Sequence, residues 1–329
     1  MATNKKKVLI TDSMDQAGVD VLKARDDLEI IPFVYTLSGP DYVAVLKQHG
    51  KIDATVLGGT RFGEAELAAA NGIQVVARIG VGYDAIDIPL MTRHKVPVMI
   101  AGTANSPSVA EKAMTLMLTL AKRVGELDRM VGEGRWAERF NAVPIDLFEK
   151  TVLIIGFGRI GTRSAKRCQA MEMKVLVYDP YVPAATISAA GCEPVLDLDA
   201  AVARADFITI HCPKTKETIG MFDAARLGRM KPTAFIVSTA RGGIVDEKAL
   251  HAALVAGKVA GAGLDVFDKE PPDNNNPLLK LPNVIKAPHM AGVTVEARRR
   301  MAVQAAQNVL SVFDGRPNRD NTVNREIYE

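Results

Sequence analysis

The chain is 329 residues long, and its 41 Lys plus Arg against 38 Asp plus Glu leave a formal net charge of +3. That length fits two domains, each able to bury its own core, and the near-balance of charge supplies no broad positive field for nucleic acid. No apolar run approaches the roughly 18 residues that a membrane span requires.

Three lysines (Lys5, Lys6, Lys7) lead straight into a strand pattern, unlike a secretory signal. Cys168, Cys192 and Cys212 are odd in number, far apart and in no metal-ligand spacing. The expectation is a cytoplasmic protein with reduced thiols, no disulfide framework, no metal site, and neither a nucleic acid nor a membrane as partner.

In the first hundred residues, apolar runs at 8–11, 29–33, 54–57, 75–79 and 96–100 predict strands. Helical patterns such as 15–24 and 41–48 lie between them, which is the βαβ signature of parallel sheets covered by helices. No glycine-rich nucleotide turn opens this half. A long helix is predicted over 108–123 or beyond, with Val109, Ala113, Leu116, Met117 and Leu120 on its apolar face. Ser106-Pro107-Ser108 supplies a cap and a first-turn proline. Residues 132–150, which hold the only tryptophan (Trp136), read as irregular.

The second half opens on the most informative stretch. Four branched apolar residues (152–155) run into Gly156-Phe157-Gly158-Arg159-Ile160-Gly161, and residues 162–171 have helical character. In such a loop the first glycine makes the tight turn and the second lets a pyrophosphate approach the backbone. The third lets helix and strand pack closely, and the helix N-terminus favours the phosphates. A second strand, 174–178, ends in Asp179 at the spacing the dinucleotide fingerprint requires. A carboxylate there accepts from the ribose hydroxyls and repels a 2′-phosphate, so the cofactor reads as NAD rather than NADP.

Further strands are predicted at 207–211, 234–238, 262–266 and 284–287, then a final helix over 293–313. That helix has little sheet left to cover nearby and is expected to return to the first domain. Residues 271–277 read as a surface loop. Lys5–Lys7 reads as a solvated N-terminus and Arg298, Arg299 and Arg300 as a solvated helix face, with decoration of a site mouth as the alternative for both. The architecture is therefore α/β, with two doubly wound parallel-sheet domains.

Ligands in open α/β sheets bind beyond the carboxyl ends of the strands. The groups placed there are His211-Cys212-Pro213, Thr239-Ala240-Arg241-Gly242-Gly243, the stretch from Asp265 to Glu270 and Pro271, and Pro288-His289. An arginine, a glutamate and a histidine at successive strand ends can converge on one crevice.

With these motifs in place, the chain resembles the D-2-hydroxyacid dehydrogenases nearly end to end. The resemblance is carried by Arg78-Ile79-Gly80-Val81-Gly82-Tyr83-Asp84, Ala104-Asn105-Ser106-Pro107-Ser108-Val109-Ala110-Glu111 and the glycine fingerprint. Ala240-Arg241-Gly242-Gly243-Ile244-Val245-Asp246, Gly263-Leu264-Asp265-Val266-Phe267 with Glu270-Pro271-Pro272, and Pro288-His289 complete it. It is strongest to the branch of phosphoglycerate dehydrogenase-like proteins that includes glyoxylate and hydroxypyruvate reductases.

The resemblance implies a discontinuous, flavodoxin-like substrate domain (1–103 with 292–329). A Rossmann NAD-binding domain (104–291) is inserted in it, and a homodimer forms through the cofactor domains. It implies a site in which Arg241 orients substrate and Glu270 partners His289. Asp265 meets the nicotinamide, Pro213 and Thr218 flank the adenosine, and Ser108 and Val109 lie near the phosphates. Arg159, Ile160, His211, Thr239, Ala240 and Gly292 complete the cofactor set. Backbone N–H groups of Ile79, Gly80, Val81 and Gly82 bind the substrate carboxylate. Arg61 and Arg78 either take a phosphate or second carboxylate at the far end or are solvated or structural.

The chemistry of the residues agrees with these roles. A planar guanidinium at Arg241 suits a carboxylate and its neighbouring carbonyl. An imidazolium at His289 can protonate a developing alkoxide, and an adjacent carboxylate favours that charged form. The expected activity is NAD-dependent interconversion of a small (R)-2-hydroxy acid and its 2-oxo acid, with 3-phosphoglycerate, glycerate or hydroxypyruvate, and glyoxylate as candidates. The alternatives are a dinucleotide-sensing corepressor-like protein, or a formate or phosphite dehydrogenase on the same framework. The sequence departs from many relatives at Lys112, where histidine is common, and at Met290, which is bulky beside the histidine. It stops at Glu329, so feedback through a C-terminal regulatory extension is not expected.

Overall fold

Short runs of branched apolar residues form two wholly parallel sheets in the computed structural model, which describes residues 5–329. The chain divides into two compact units, Met1–Asn105 with Val293–Glu329, and Ser106–Gly292. The divisions fall at Asn105/Ser106 and Gly292/Val293 rather than at 103/104 and 291/292.

In the first unit the strands are β1 (Lys6–Thr11), β2 (Leu28–Phe33), β3 (Ala54–Leu57), β4 (Val75–Arg78) and β5 (Val98–Met99), in the order β2-β1-β3-β4-β5. The order reverses between β1 and β3, the switch point of a flavodoxin-like sheet. One face packs Leu9, Phe33, Tyr42, Phe62 and Val76; the other packs Val8, Ile10, Val56 and Val75. The final helix, Val295–Phe313, covers this second face through Ala302, Ala305, Ala306 and Val309, so it does return to the first sheet. Small residues make that fit: a Cβ on Gly18 of the helix Gln16–Lys23 would stand 2.5 Å from the Ala302 backbone.

β5 is shorter than the 96–100 run predicts, because the distant C-terminal segment takes its backbone groups. The Asn324 side chain accepts from the Val98 amide and donates to the Val96 carbonyl, and the Asn321 carbonyl accepts from the Ile100 amide. Lys6 and Lys7 are not a solvated tail: they open β1, and Lys7 Nζ donates to the His49 carbonyl at 2.7 Å.

The second unit contains β6 (Thr151–Ile155), β7 (Lys174–Tyr178), β8 (Glu193–Pro194), β9 (Phe207–Ile210), β10 (Phe235–Ser238), β11 (Gly261–Leu264) and β12 (Val284–Lys286). Their order, β12-β11-β10-β9-β6-β7-β8, reverses between β6 and β9, as in a Rossmann fold. Two apolar layers sandwich the sheet, one around Ile155, Ile208, Ile236 and Leu264, the other around Val152, Ile154, Val177 and Leu116. The two-residue edge strand β8 has too little pattern to be read from sequence. The long helix runs Ser106–Ala121, breaks at Arg123 (φ +50°) and resumes as Val124–Gly132. Trp136–Asn141 is a 3-10 helix within the stretch predicted to be irregular. All three cysteines are free thiols, and no helix of the described residues is long and apolar enough to cross a membrane.

Candidate active site

The C-terminal ends of β6, β7, β9, β10, β11 and β12 carry the chemistry of the second unit. Between β6 and the helix Gly161–Ala170, Gly156 turns at φ +90°, and a Cβ there would meet the Cys212 amide nitrogen at 2.9 Å. A Cβ on Gly161 would stand 2.0 Å from the Gly156 carbonyl oxygen. Both positions therefore require glycine sterically. Gly158 differs, because its Cβ would point into open space. Among the described residues the Gly158 and Ile160 amides donate no hydrogen bond. An open flank with free amides at a helix N-terminus fits a pyrophosphate.

Asp179, just past β7, braces this loop. Its Oδ2 accepts from the Phe157 amide at 2.7 Å, and its Oδ1 accepts from the Tyr181 amide at 2.9 Å. Each oxygen keeps a lone pair for a ribose hydroxyl. Replacing Asp179 with asparagine should narrow the preference for NADH over NADPH by about 10- to 100-fold, the worth of a charged hydrogen bond and its repulsion. Fluorescence titration with both nucleotides measures this.

The ends of β9 and β10 contribute buried polar atoms. Thr239 Oγ1 and His211 Nδ1 are shielded and have no hydrogen-bond partner among the described residues, as a bound ligand edge would require. The His211 ring folds back on its own strand, with Nε2 3.1 Å from Thr209 Oγ1. Burial pushes its pKa down to about 3 and the Cys212 thiol up to about 11. Both groups are neutral at physiological pH, so His211 offers no cation to the phosphates. The Thr218 hydroxyl accepts from the Thr215 amide and donates to the Pro213 carbonyl, closing the loop between them. Ser108 and Val109 are buried in their helix. Arg163 Nε donates to Ser106 Oγ at 3.0 Å, tying that helix to the one that follows the glycine loop.

Glu270 and His289 meet. His289 Nδ1 lies 2.6 Å from Glu270 Oε2, and Glu270 Oε1 accepts from the Phe267 amide at 3.0 Å. The carboxylate is thus fixed from behind while its front orients the ring, leaving Nε2 as the nitrogen that can exchange a proton. Arg241, half-buried after β10, is steadied by NH1 donating to the Ala240 carbonyl at 2.8 Å.

Asp265 has a role that the sequence did not disclose. It is fully buried, and its two oxygens accept from the Met290 and Ala291 amides at 3.0 and 2.8 Å. Its carbonyl accepts from the His289 amide at 2.8 Å. These bonds hold His289 at φ +54°, a left-handed conformation that costs about 1 kcal/mol or more and persists only where neighbours enforce it.

The first unit presents its own set. Beyond β4, the Ile79 amide donates to the Leu57 carbonyl, so it is not an anion donor as the sequence suggested. Among the described residues Gly80, Val81 and Gly82 donate no hydrogen bond, leaving three successive free amides. Arg78 NH2 lies 3.7 Å from where a Cβ on Gly80 would stand, while Arg61 is exposed. Gly292 is half-buried at the end of the second unit.

The model of the D-isomer specific 2-hydroxyacid dehydrogenase NAD-binding domain matches residues 114–291. A D-3-phosphoglycerate dehydrogenase of Archaeoglobus fulgidus is 40% identical over 324 residues, covering 98% of this chain and 60% of that protein. A Thermus thermophilus protein of solved structure is 30% identical with a TM-score of 0.83, covering 96% of this chain and 99% of that one. A glyoxylate reductase from Paecilomyes thermophila is 25% identical with a TM-score of 0.86, covering 97% and 98%. The chain thus spans about three-fifths of the length of the Archaeoglobus relative. With the glycine loop, Asp179 and the Glu270–His289 pair all on its second sheet, the chain belongs to the D-isomer specific 2-hydroxyacid dehydrogenase family and carries that family's NAD-binding domain.

Proposed function

We propose that this chain is an NAD-dependent dehydrogenase that interconverts a small (R)-2-hydroxy acid and its 2-oxo acid. The single observation that carries the reading is the Glu270–His289 pair at 2.6 Å in a unit that also holds Arg241 and the glycine loop. The loop 156–161 and Asp179 would hold the dinucleotide, which supplies the hydride when bound.

Arg241 orients the 2-oxo acid by a planar donor fork to its carboxylate and carbonyl oxygen. His289 Nε2 delivers the proton to the alkoxide oxygen, and in the opposite direction removes it. Glu270 keeps Nδ1 protonated and the ring fixed. On the first unit, the free amides of Gly80, Val81 and Gly82 by themselves suit a carboxylate. The names of the relatives support 3-phosphoglycerate first and glyoxylate after it, and the sequence resemblance adds glycerate or hydroxypyruvate. The test is NADH oxidation with glyoxylate, hydroxypyruvate, pyruvate, oxaloacetate, 2-oxoglutarate and 3-phosphohydroxypyruvate, repeated with NADPH. Binding of NADH without turnover of any of these would favour a sensing protein instead.

The reading includes a cytoplasmic homodimer. Three free thiols support the compartment. The dimer is supported by the second unit's surface, where Val131, Trp136 (63% exposed), Phe140 (74% exposed) and Phe148 protrude from one short segment. The same unit holds an 870 Å³ groove lined by Leu120, Val143, Ile145 and Phe235 among others. Large knobs and a groove on one surface suit an isologous contact. Changing Trp136 and Phe140 together to aspartate should yield monomers by light scattering; an unchanged mass would remove the segment from the interface.

A further inference from the structure

Glu270, whose carboxylate orients His289, sits on the segment between β11 and the 3-10 helix Pro277–Lys280. Residues 268–271 and 273–275 of this segment are exposed, so burial does little to fix it and polar contacts must. The side chain of Glu247 reaches both of its ends. Oε1 accepts from the Asp268 amide and Oε2 from Asn276 Nδ2, each at 2.6 Å. Glu270 lies between these two anchors. Glu247 is half-buried and is the first residue of the helix Glu247–Val255, yet its carboxylate is not spent on that helix. The cap is Asp246, whose Oδ1 accepts from the Lys248 and Ala249 amides at 2.9 and 3.0 Å.

The first anchor acts on one peptide. The Phe267 amide donates to Glu270 Oε1 at 3.0 Å, and the next amide along, that of Asp268, donates to Glu247. The carbonyl of the Phe267–Asp268 peptide lies against Gly242, where a Cβ would stand 1.8 Å from its oxygen. Gly242 thus holds this planar unit at its carbonyl end and Glu247 holds it at its amide end. Tilting the unit would turn the neighbouring Phe267 amide away from Glu270. The second anchor ties the far end down: Asn276 Oδ1 also accepts from the Leu278 amide at 3.1 Å, joining the segment to the 3-10 helix.

We propose that Glu247 is a positioning residue for proton transfer, holding both ends of the 268–276 segment so that Glu270 stays against His289. This rests on the dehydrogenase reading above. Steady-state NADH oxidation with the best 2-oxo acid tests it. Glu247→Ala should lower kcat by about 10- to 100-fold, as for a displacement of up to about 1 Å at the reacting group, with KM and NADH affinity within about 3-fold of wild type. In a Glu270→Ala background the same change should cost less than about 3-fold, because the residue through which Glu247 acts is already gone. A merely structural Glu247 would give the same loss in both backgrounds.

Exchanging donor and acceptor supplies the second arm, which carries the test if Glu247→Ala does not fold. In Glu247→Gln the new amide group faces the Asn276 amide, donor against donor, and kcat should fall by about 5- to 20-fold. Adding Asn276→Asp gives that amide an acceptor while the other oxygen keeps the Leu278 bond, and should return kcat to within about 2-fold of wild type. Equal losses in both backgrounds, a loss confined to KM, or no recovery in the double variant would overturn the role of Glu247 and leave the dehydrogenase intact. Failure of wild type to reduce any 2-oxo acid would instead remove the reading on which the proposal rests.

Discussion

Changing His289 to alanine lowers kcat by about 10²- to 10⁴-fold, the usual worth of a positioned general acid, and leaves NADH affinity within a few-fold of wild type. The separation follows from geometry. The groups that would bind the dinucleotide, Gly158 and Asp179, sit at the β6 and β7 ends of the sheet, whereas His289 follows β12 at the opposite edge. His289 also adds little to the fold: its ring is 44% exposed and its side-chain partner among the described residues, Glu270, is 36% exposed. An exposed pair of this kind contributes about 1 kcal/mol or less to stability, so the Tm should barely move. Glu270→Gln should cost less than His289→Ala, because an amide oxygen can still accept from Nδ1 and hold the ring. Steady-state kinetics in both directions, with fluorescence titration of NADH, decides the matter. A His289→Ala enzyme with near-normal turnover would mean that another group delivers the proton.

What could be read from the sequence was whatever a short stretch of chain determines by itself. The fingerprint was visible because each glycine answers a local steric demand: Gly161 must clear the carbonyl of Gly156, five residues away. The central strands were visible because parallel strands buried on both faces need unbroken runs of branched side chains. Lys174–Tyr178 and Ala54–Leu57 begin and end where those runs do. Arg241, Glu270 and His289 could each be placed at a strand end, but the 2.6 Å contact joins residues 19 positions apart, and nothing local fixes it.

The remainder depends on partners that only folding supplies. β5 is cut to two residues by Asn321 and Asn324, more than two hundred positions downstream. Ile79 looked like an anion donor until its amide was matched with the Leu57 carbonyl across the sheet. Asp265 reads from the sequence only as a cofactor residue, and its bracing of the loop that carries His289 is an addition the sequence does not announce. In each case a polar backbone group had to be satisfied, and the residue satisfying it could not be chosen without the fold.

Gly242→Ala tests whether the loops bearing Arg241 and Glu270 are set by direct backbone contact. The added methyl would stand 1.8 Å from the Phe267 carbonyl oxygen, 2.2 Å from its carbon and 2.7 Å from the Asp268 nitrogen. None of these atoms belongs to a flexible side chain, so the two loops must part. They leave neighbouring strands, β10 and β11, which are paired to their ends at Ser238 and Leu264. The movement must therefore come from the loops themselves. Phe267 is also the residue whose amide pins Glu270 at 3.0 Å, so parting the loops shifts Arg241 away from the segment that orients His289. Overpacking of this kind costs about 1–3 kcal/mol, to be read as a lower Tm. A displacement of about 1 Å at a reacting centre costs on the order of 10²-fold in rate, so kcat/KM should fall far more than the loss of stability would suggest. NADH binding should survive, since Gly158 and Asp179 lie beyond β9 in the sheet order. An enzyme that kept wild-type kcat/KM with this methyl in place would show that Arg241 and Glu270 are positioned independently, and that contact between their loops is incidental to catalysis.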